Sequence, residues 1–363
     1  MKTIMFYINA INGGGAARVI LQLAHHFAEE GYKSILVTSF VDIDREYKVP
    51  ENVIRYSLEN EQLNESKLVR NTSRIKKLRK ICKEEKPIVL ISFMAEPNFR
   101  ALIATRGLDI KRIVSVRNDP KHEYKGIIGR FVGKFILPQA DGCVFQTEEA
   151  RLWFPEKLQK KSKVIFNDVV EEFFNVSREK SEYIVTIGRL SKQKNHHFLI
   201  RSFARIASKY PNQELRIYGA GQLEESIRQQ ISNLGLDKQI LLMGPTKNVA
   251  EVLGNAKMFV LSSDYEGMPN CLMEALAAGV PCISTDCPCG GPQMLIKSGE
   301  NGILVPVGDE EAMANSIDRL LSDTQLSERI GVKARQDAYK FHPNRVFDMW
   351  KKYVENIAGI DCH

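Results

Sequence analysis

A chain of 363 residues, 44% hydrophobic and 26% charged, has the length of two domains and enough apolar side chains for two cores. Its net charge of +7 is uneven: residues 1–170 carry 29 Lys and Arg against 20 Asp and Glu, and the remainder 22 against 24. No run of 18 apolar residues marks a transmembrane helix, and seven scattered cysteines lack metal spacing, which argues against membrane-spanning, disulfide-stapled and zinc-binding classes.

Met1 leads straight into a strand rather than a signal peptide, so buried thiols in a reducing cytosol are expected. Strands are expected at Thr3–Ile8, Lys33–Thr38, Pro87–Phe93, Arg112–Val116 and Gly142–Gln146, with 163–170 a last strand running into a linker. Helical patterns lie between them, which points to a parallel sheet covered on both faces. After the first strand, Asn12-Gly13-Gly14-Gly15-Ala16-Ala17-Arg18 opens a helix reaching Glu30. Its glycines permit close backbone approach, and its N–H groups suit an anion. The spacing is not G-x-G-x-x-G, and no acid ends the second strand, so a nicotinamide dinucleotide is the weaker reading beside a phosphate-closing turn or a structural one. Asp42-Ile43-Asp44 is formally D-x-D, but it sits in a polar loop without further ligands, and no metal role is assigned to it.

The segment 66–86 carries nine basic residues and two acidic ones, with Leu68, Val69, Ile75, Leu78 and Ile81 near helical spacing. It reads either as a solvated basic helix or as a surface for anionic lipid headgroups, a peripheral membrane contact. No aromatic-interleaved basic motif points to nucleic acid. Arg117 and Asn118 follow the fourth strand and are candidate substrate contacts at its end. Asp119 before Pro120 suits either an acceptor hydroxyl or a turn.

A second strand series begins at Tyr183 and continues through 214–218, 240–243, 257–262, 282–285 and 302–305, again the length of a doubly wound domain. Its first strand ends in Gly188, followed by Arg189 and Lys194, two cations suited to clamping a diphosphate. Glycine turns recur at Gly219 and Gly244. The segment Glu266-Gly267-Met268-Pro269-Asn270-Cys271-Leu272-Met273-Glu274 then leads into a helix, with Pro269 at its first turn and Gly279 at its end. Eight helical positions separate the two glutamates by roughly 12 Å. That exceeds the roughly 5 to 9.5 Å of a glycoside hydrolase's carboxylate pair. It suits gripping two ends of one long ligand, with helix N–H groups facing an anion between them.

With both motifs in place, the chain resembles the family-4 glycosyltransferases, retaining enzymes of the GT-B fold, most strongly over 184–305. The resemblance implies an α/β protein of two doubly wound Rossmann-like domains facing across a cleft. Residues 1–170 would form the acceptor-binding domain and 171–342 the nucleotide-sugar-binding domain. A C-terminal helix, 343–363, would cross back onto the first. It implies catalytic roles for Arg189, Lys194 and Glu266. Gly14, Gly15, Gly188, Gly219, Gly244, Gly267, Met268, Pro269, Asn270, Leu272 and Glu274 would contact the nucleotide-diphosphate sugar, with uridine the best base. The acceptor would be a glycan or a lipid-linked glycan of the cell envelope, and the enzyme cytoplasmic or peripheral at the inner membrane face. No metal or other cofactor is expected. Many relatives carry a histidine where this chain has Arg117 and Asn118, and often a glutamate where it has Gln293, so neither role is carried over. The rival reading is a nucleotide-sugar epimerase of the same architecture.

Overall fold

A computed structural model gives the fold, describing residues 1–12, 14–41, 46–59, 66–178 and 182–360. The chain divides into two compact units, Met1–Asn167 with Asn344–His363, and Asp168–Pro343.

In the first unit, seven parallel strands form one sheet: β1 Thr3–Ile8, β2 Lys33–Thr38, β3 Ile54–Ser57, β4 Val89–Phe93, β5 Lys111–Ser115, β6 Gly142–Phe145 and β7 Ser162–Val164. Their order is β3-β2-β1-β4-β5-β6-β7. Strand alternation sends successive side chains to opposite faces. Ile4, Phe6 and Ile8 meet the helix Gly15–Glu29 on one side, while Met5 and Tyr7 join Leu78 and Cys82 on the other. The strand β3 departs from expectation. Ile54 is exposed and the other three residues are half-buried, so it lacks the apolar run that marks the inner strands. The expected last strand is also shorter, ending at Val164.

The helix Lys67–Glu85, capped by the Ser66 hydroxyl at the Val69 N–H, turns its apolar stripe into this unit. Leu78 and Cys82 are buried there, with Ile75 and Ile81 packed against the same core. Arg74 forms a two-pronged ion pair with the buried Glu59, and Lys77 and Arg79 donate to backbone carbonyls. Lipid contact by this helix would therefore rest on its remaining cations and on Leu68 and Val69 at its start. The final helix, Pro343–Ala358, buries Val346, Phe347, Trp350, Tyr353 and Val354 against the first unit's core. The Tyr353 hydroxyl accepts from the Cys143 N–H at 2.8 Å and donates to the Lys161 carbonyl at 2.6 Å.

The second unit is a six-stranded parallel sheet: β8 Tyr183–Ile187, β9 Leu215–Tyr218, β10 Ile240–Gly244, β11 Ala256–Leu261, β12 Cys282–Thr285 and β13 Ile303–Val305. The order is β10-β9-β8-β11-β12-β13. Chain direction across the sheet reverses between β8 and β11, as it does between β1 and β4 in the first unit. Doubly wound sheets bind ligands outside the carboxyl ends of the strands at such a reversal. Among the described residues, no helix is long and apolar enough to cross a membrane.

Candidate functional site

The loops leaving β8 and β11 meet at the reversal point of the second sheet, and hydrogen bonds lace them together. The Asp264 N–H donates to the Gln193 carbonyl at 2.9 Å and the Ser262 hydroxyl to the Lys194 carbonyl at 2.8 Å. Gln193 Nε2 donates to the Tyr265 carbonyl at 3.0 Å. Asn195 takes the left-handed conformation (φ 45°) that asparagine tolerates better than most residues. From there its Oδ1 caps the helix His196–Ala204 at the Phe198 N–H, while its Nδ2 donates to Asp264 Oδ1 at 2.7 Å.

This lacing brings Lys194 Nζ to 2.6 Å from Glu266 Oε1, both side chains largely withdrawn from water. The Ser263 hydroxyl donates to the same oxygen at 2.7 Å, and Thr285 Oγ1 fixes the Ser263 carbonyl at 2.6 Å. Burial, the largest influence on the Lys194 ammonium, works against its charge. The Glu266 carboxylate and the neighbouring Cys271 outweigh it and hold the ammonium well above its usual range. Arg189, exposed on the turn just after Gly188, adds its charge to the same region and pushes the other way.

Glycines let the strand ends crowd together. A Cβ at Gly219 would stand 1.9 Å from the Gly188 carbonyl oxygen, and the Gly219 N–H donates to the Gly244 carbonyl at 2.9 Å. Gly188 itself takes the methylenes of Lys194 against its bare Cα. On the other side the Glu266 N–H donates to the Pro288 carbonyl, and the Cys289 N–H to the Glu266 carbonyl. A Cβ at Gly291 would lie 1.8 Å from the Gly267 oxygen, so the loops after β11 and β12 pack backbone to backbone.

Gly267, Met268 and Pro269 are buried, and Pro269 takes the cap position just ahead of the helix Asn270–Ala277 rather than its first turn. Leu272 is fully buried and Glu274 nearly so. Cys271 lies among these charges: burial, and then Glu266 and Glu274 against the pull of Lys194, push its thiol up to about 11. Arg189, Lys194, Glu266 and Glu274 thus share one neighbourhood in the second unit. Ser263, Asp264, Asn195 and Cys271 join them without having been singled out in the sequence, where an isolated polar residue beside a strand end carries no periodic signal.

His196 completes the site's frame. Its buried Nε2 donates to the Arg189 carbonyl at 3.3 Å, and burial drives its imidazole down to about 4. An unfolded histidine titrates near 6.5, so between the two values the unfolded chain holds the extra proton. Stability is therefore full above pH 6.5 and falls as the pH drops towards 4, by at most about 3 kcal/mol. His196→Gln should lose that part of the acid sensitivity in urea unfolding at pH 7 and pH 4.5. Equal acid losses in both proteins would show that His196 is not its source.

In the first unit, exposed Gly14 (φ 90°) precedes the helix that starts at Gly15. Gly13 and the Asp42-Ile43-Asp44 segment lie outside the described residues. Arg117 is buried, its guanidinium 4.4 Å over the Phe93 ring with Nη2 donating to Asn167 Oδ1. An acceptor contact there would share a group already engaged. Asn118 is half-buried, and its Oδ1 accepts from the Asp119 N–H. Asp119 caps the short helix Pro120–Glu123 and pairs with His122 at 2.9 Å, the turn reading of that residue. Beside them, Glu123 Oε1 accepts from the Ala95 N–H at 2.7 Å. Burial lifts its carboxyl to about 7 against the backbone N–H groups of Ala95, Arg117 and Asn118. Met94, between β4 and Ala95, has φ 77°, a strained value for a side-chain-bearing residue. Among the described residues, no cluster of three or more His, Cys, Asp and Glu could hold a metal ion.

Comparison with known proteins places the chain among glycosyltransferases. Residues 169–337 match the family model "Glycosyl transferases group 1", and residues 13–170 match "Glycosyltransferase Family 4". An uncharacterized glycosyltransferase of Methanocaldococcus jannaschii is 30% identical over 77% of this chain and 82% of its own. A Campylobacter jejuni protein is 29% identical over 99% of this chain and 100% of its own. It is named as an α-1,4-N-acetyl-D-galactosaminyltransferase acting on a GalNAc-GalNAc-diNAcBac-diphosphate-undecaprenol. Among solved structures, Anabaena HepE in complex with UDP and glucose superposes with a TM-score of 0.82 at 16% identity, covering 98% of this chain and all of its own. The chain belongs to the family-4 glycosyltransferases, has the GT-B fold, and is an enzyme of the glycosyltransferase class.

Proposed function

We propose that this enzyme moves a hexose or N-acetylhexosamine from a nucleotide-diphosphate sugar, UDP-linked by preference, to a glycan or lipid-linked acceptor, with retention at the anomeric carbon. The observation carrying this reading is the buried Lys194–Glu266 pair at the sheet's reversal point, with Arg189 before it and the helix bearing Glu274 behind it. An ammonium has three donors and Glu266 takes one, which leaves Lys194 able to reach a phosphate as well. As the bond from the anomeric carbon to the phosphate oxygen breaks, negative charge grows on the β-phosphate. Lys194, Arg189 and the N–H groups that open the helix Asn270–Ala277 bind that charge more tightly in the transition state than before it. Glu266 holds sugar hydroxyls and Glu274 the ribose. The acceptor oxygen attacks from the face the phosphate leaves, and its proton passes to the departing phosphate oxygen, so no side-chain base is needed. The Campylobacter relative's undecaprenol-diphosphate acceptor supports a lipid-linked glycan for this chain, and with it work at the inner membrane face.

The test is incubation with UDP-hexoses and UDP-N-acetylhexosamines, with and without a lipid-linked acceptor, following the anomeric proton of the product by NMR. The expected outcome is acceptor-dependent transfer giving the donor's own anomeric configuration, unchanged in excess chelator because two cations neutralise the leaving diphosphate. Conversion of donor alone into another sugar nucleotide would make the enzyme an epimerase. An inverted product would overturn the mechanism.

A further inference from the structure

Residues 126–139 of the first unit form one helical run. An α-helix, Gly126–Phe131, widens through a π-helical turn, Val132–Ile136, and closes in a 3-10 turn, Leu137–Gln139. Its inner side is anchored: Leu137 and Pro138 are buried, and an added Cβ at Gly133 would stand 3.0 Å from the Trp153 ring. Its outer side is apolar. Ile127 and Ile128 are 89% and 81% exposed, and Phe131 and Phe135 are 54% and 53% exposed, with the two phenyl rings 5.1 Å apart. Single exposed apolar residues are ordinary on a protein surface, but four large ones at i, i+1, i+4 and i+8 of one helix make a stripe.

Cations accompany that stripe. Lys125, Arg130 and Lys134 are exposed, and residues 124–140 contain no acidic side chain. Arg130 and Lys134 also wall a cavity of about 390 Å³, completed by Trp153, Phe154 and Pro155. A second copy of this chain would bring the same three cations against themselves across a two-fold axis, which like-charge repulsion opposes. An anionic bilayer meets both chemistries at once, with phosphates at headgroup depth for the cations and an acyl boundary for Ile and Phe. We propose that the helical run 126–139 docks this protein on an anionic membrane surface, with Ile127, Ile128, Phe131 and Phe135 at the acyl boundary and Lys125, Arg130 and Lys134 on lipid phosphates. The helix Lys67–Glu85, richer in cations, has spent Ile75, Leu78 and Ile81 on the core and keeps Leu68 and Val69 exposed at its start.

The test is flotation of the full chain with vesicles of phosphatidylcholine alone and of phosphatidylcholine with 30% phosphatidylglycerol. The wild type should float with the anionic vesicles, less so as salt rises, and hardly with the neutral ones. The Ile127→Glu/Ile128→Glu variant should bind at least tenfold more weakly, and Arg130→Glu and Lys134→Glu at least about fivefold each. A Lys76→Glu/Lys80→Glu/Lys83→Glu control on the other basic helix should lose less than the isoleucine variant. Circular dichroism checks that each variant is folded, as expected for exposed positions. A folded wild type that ignores anionic vesicles, or an isoleucine variant that floats like wild type, overturns the proposal. So does wild-type self-association abolished by the same substitutions, which would assign the stripe to a second copy. The readout needs no sugar transfer, so its failure leaves the proposed activity standing.

Discussion

Lys194→Ala and Glu266→Ala are each expected to lower turnover with a nucleotide-diphosphate sugar by about 10²–10³, equivalent to about 2.7–4 kcal/mol of transition-state stabilisation. The two groups form a buried pair, 2.6 Å apart, and each orients the other. Removing Lys194 leaves a buried carboxylate beside the site of the leaving phosphate, where it repels developing charge. Removing Glu266 leaves the ammonium in place but loses its orientation and the sugar contact. The double variant should therefore lose less than the two singles combined, a coupling of the kind seen for residues acting as a unit. The measurement is kcat and KM for all four proteins under saturating acceptor, beside thermal melts that show each one folded. Effects confined to KM would mean ground-state binding only, and wild-type turnover in either folded single variant would remove the assignment.

Much of the scaffold behind that pair was legible in the sequence. Inner parallel strands are apolar on both faces and bounded by turn residues, so β1, β2 and β12 have the limits the pattern suggests. The edge strand β3 was not legible, because four half-exposed residues, Ile54–Ser57, carry no such run. At the site, Arg189, Lys194, Glu266 and Glu274 stood out through charge beside strand ends. Ser263 and Asn195 did not, since what they contribute is a bond to a loop from another strand. The two helices of the first unit show the limit most sharply. The stripe Ile75, Leu78 and Ile81 and the stripe Ile127, Ile128, Phe131 and Phe135 look alike in sequence, each flanked by cations. The first packs into the core and the second faces outward. Periodicity reports that a helix has an apolar face, and only the tertiary packing decides whether that face is already covered.

Trp350→Ala should destabilise the first unit by about 3–5 kcal/mol, the range for removing a buried aromatic side chain, out of roughly 5–15 kcal/mol available to a domain. Trp350 is 1% exposed on the final helix and stacks on Phe93 at 5.9 Å, with the planes 27° apart. Phe93 ends β4 at the reversal point of the first sheet and carries the Arg117 guanidinium over its ring. Arg117 in turn shares Asn167 with Gln146 Nε2, which donates to Asn167 Oδ1 at 2.7 Å. A cavity behind Phe93 therefore loosens the strand end that holds Arg117, far along the chain from the substitution. Trp350→Phe keeps a ring on Phe93 and should recover most of the loss, and urea unfolding followed by circular dichroism ranks the three proteins. If Trp350→Ala unfolds at the wild-type midpoint, the final helix contributes nothing to the first unit's stability. If it unfolds early yet, where folded, keeps wild-type KM for acceptor, the chain from Trp350 through Phe93 to Arg117 ends short of the acceptor.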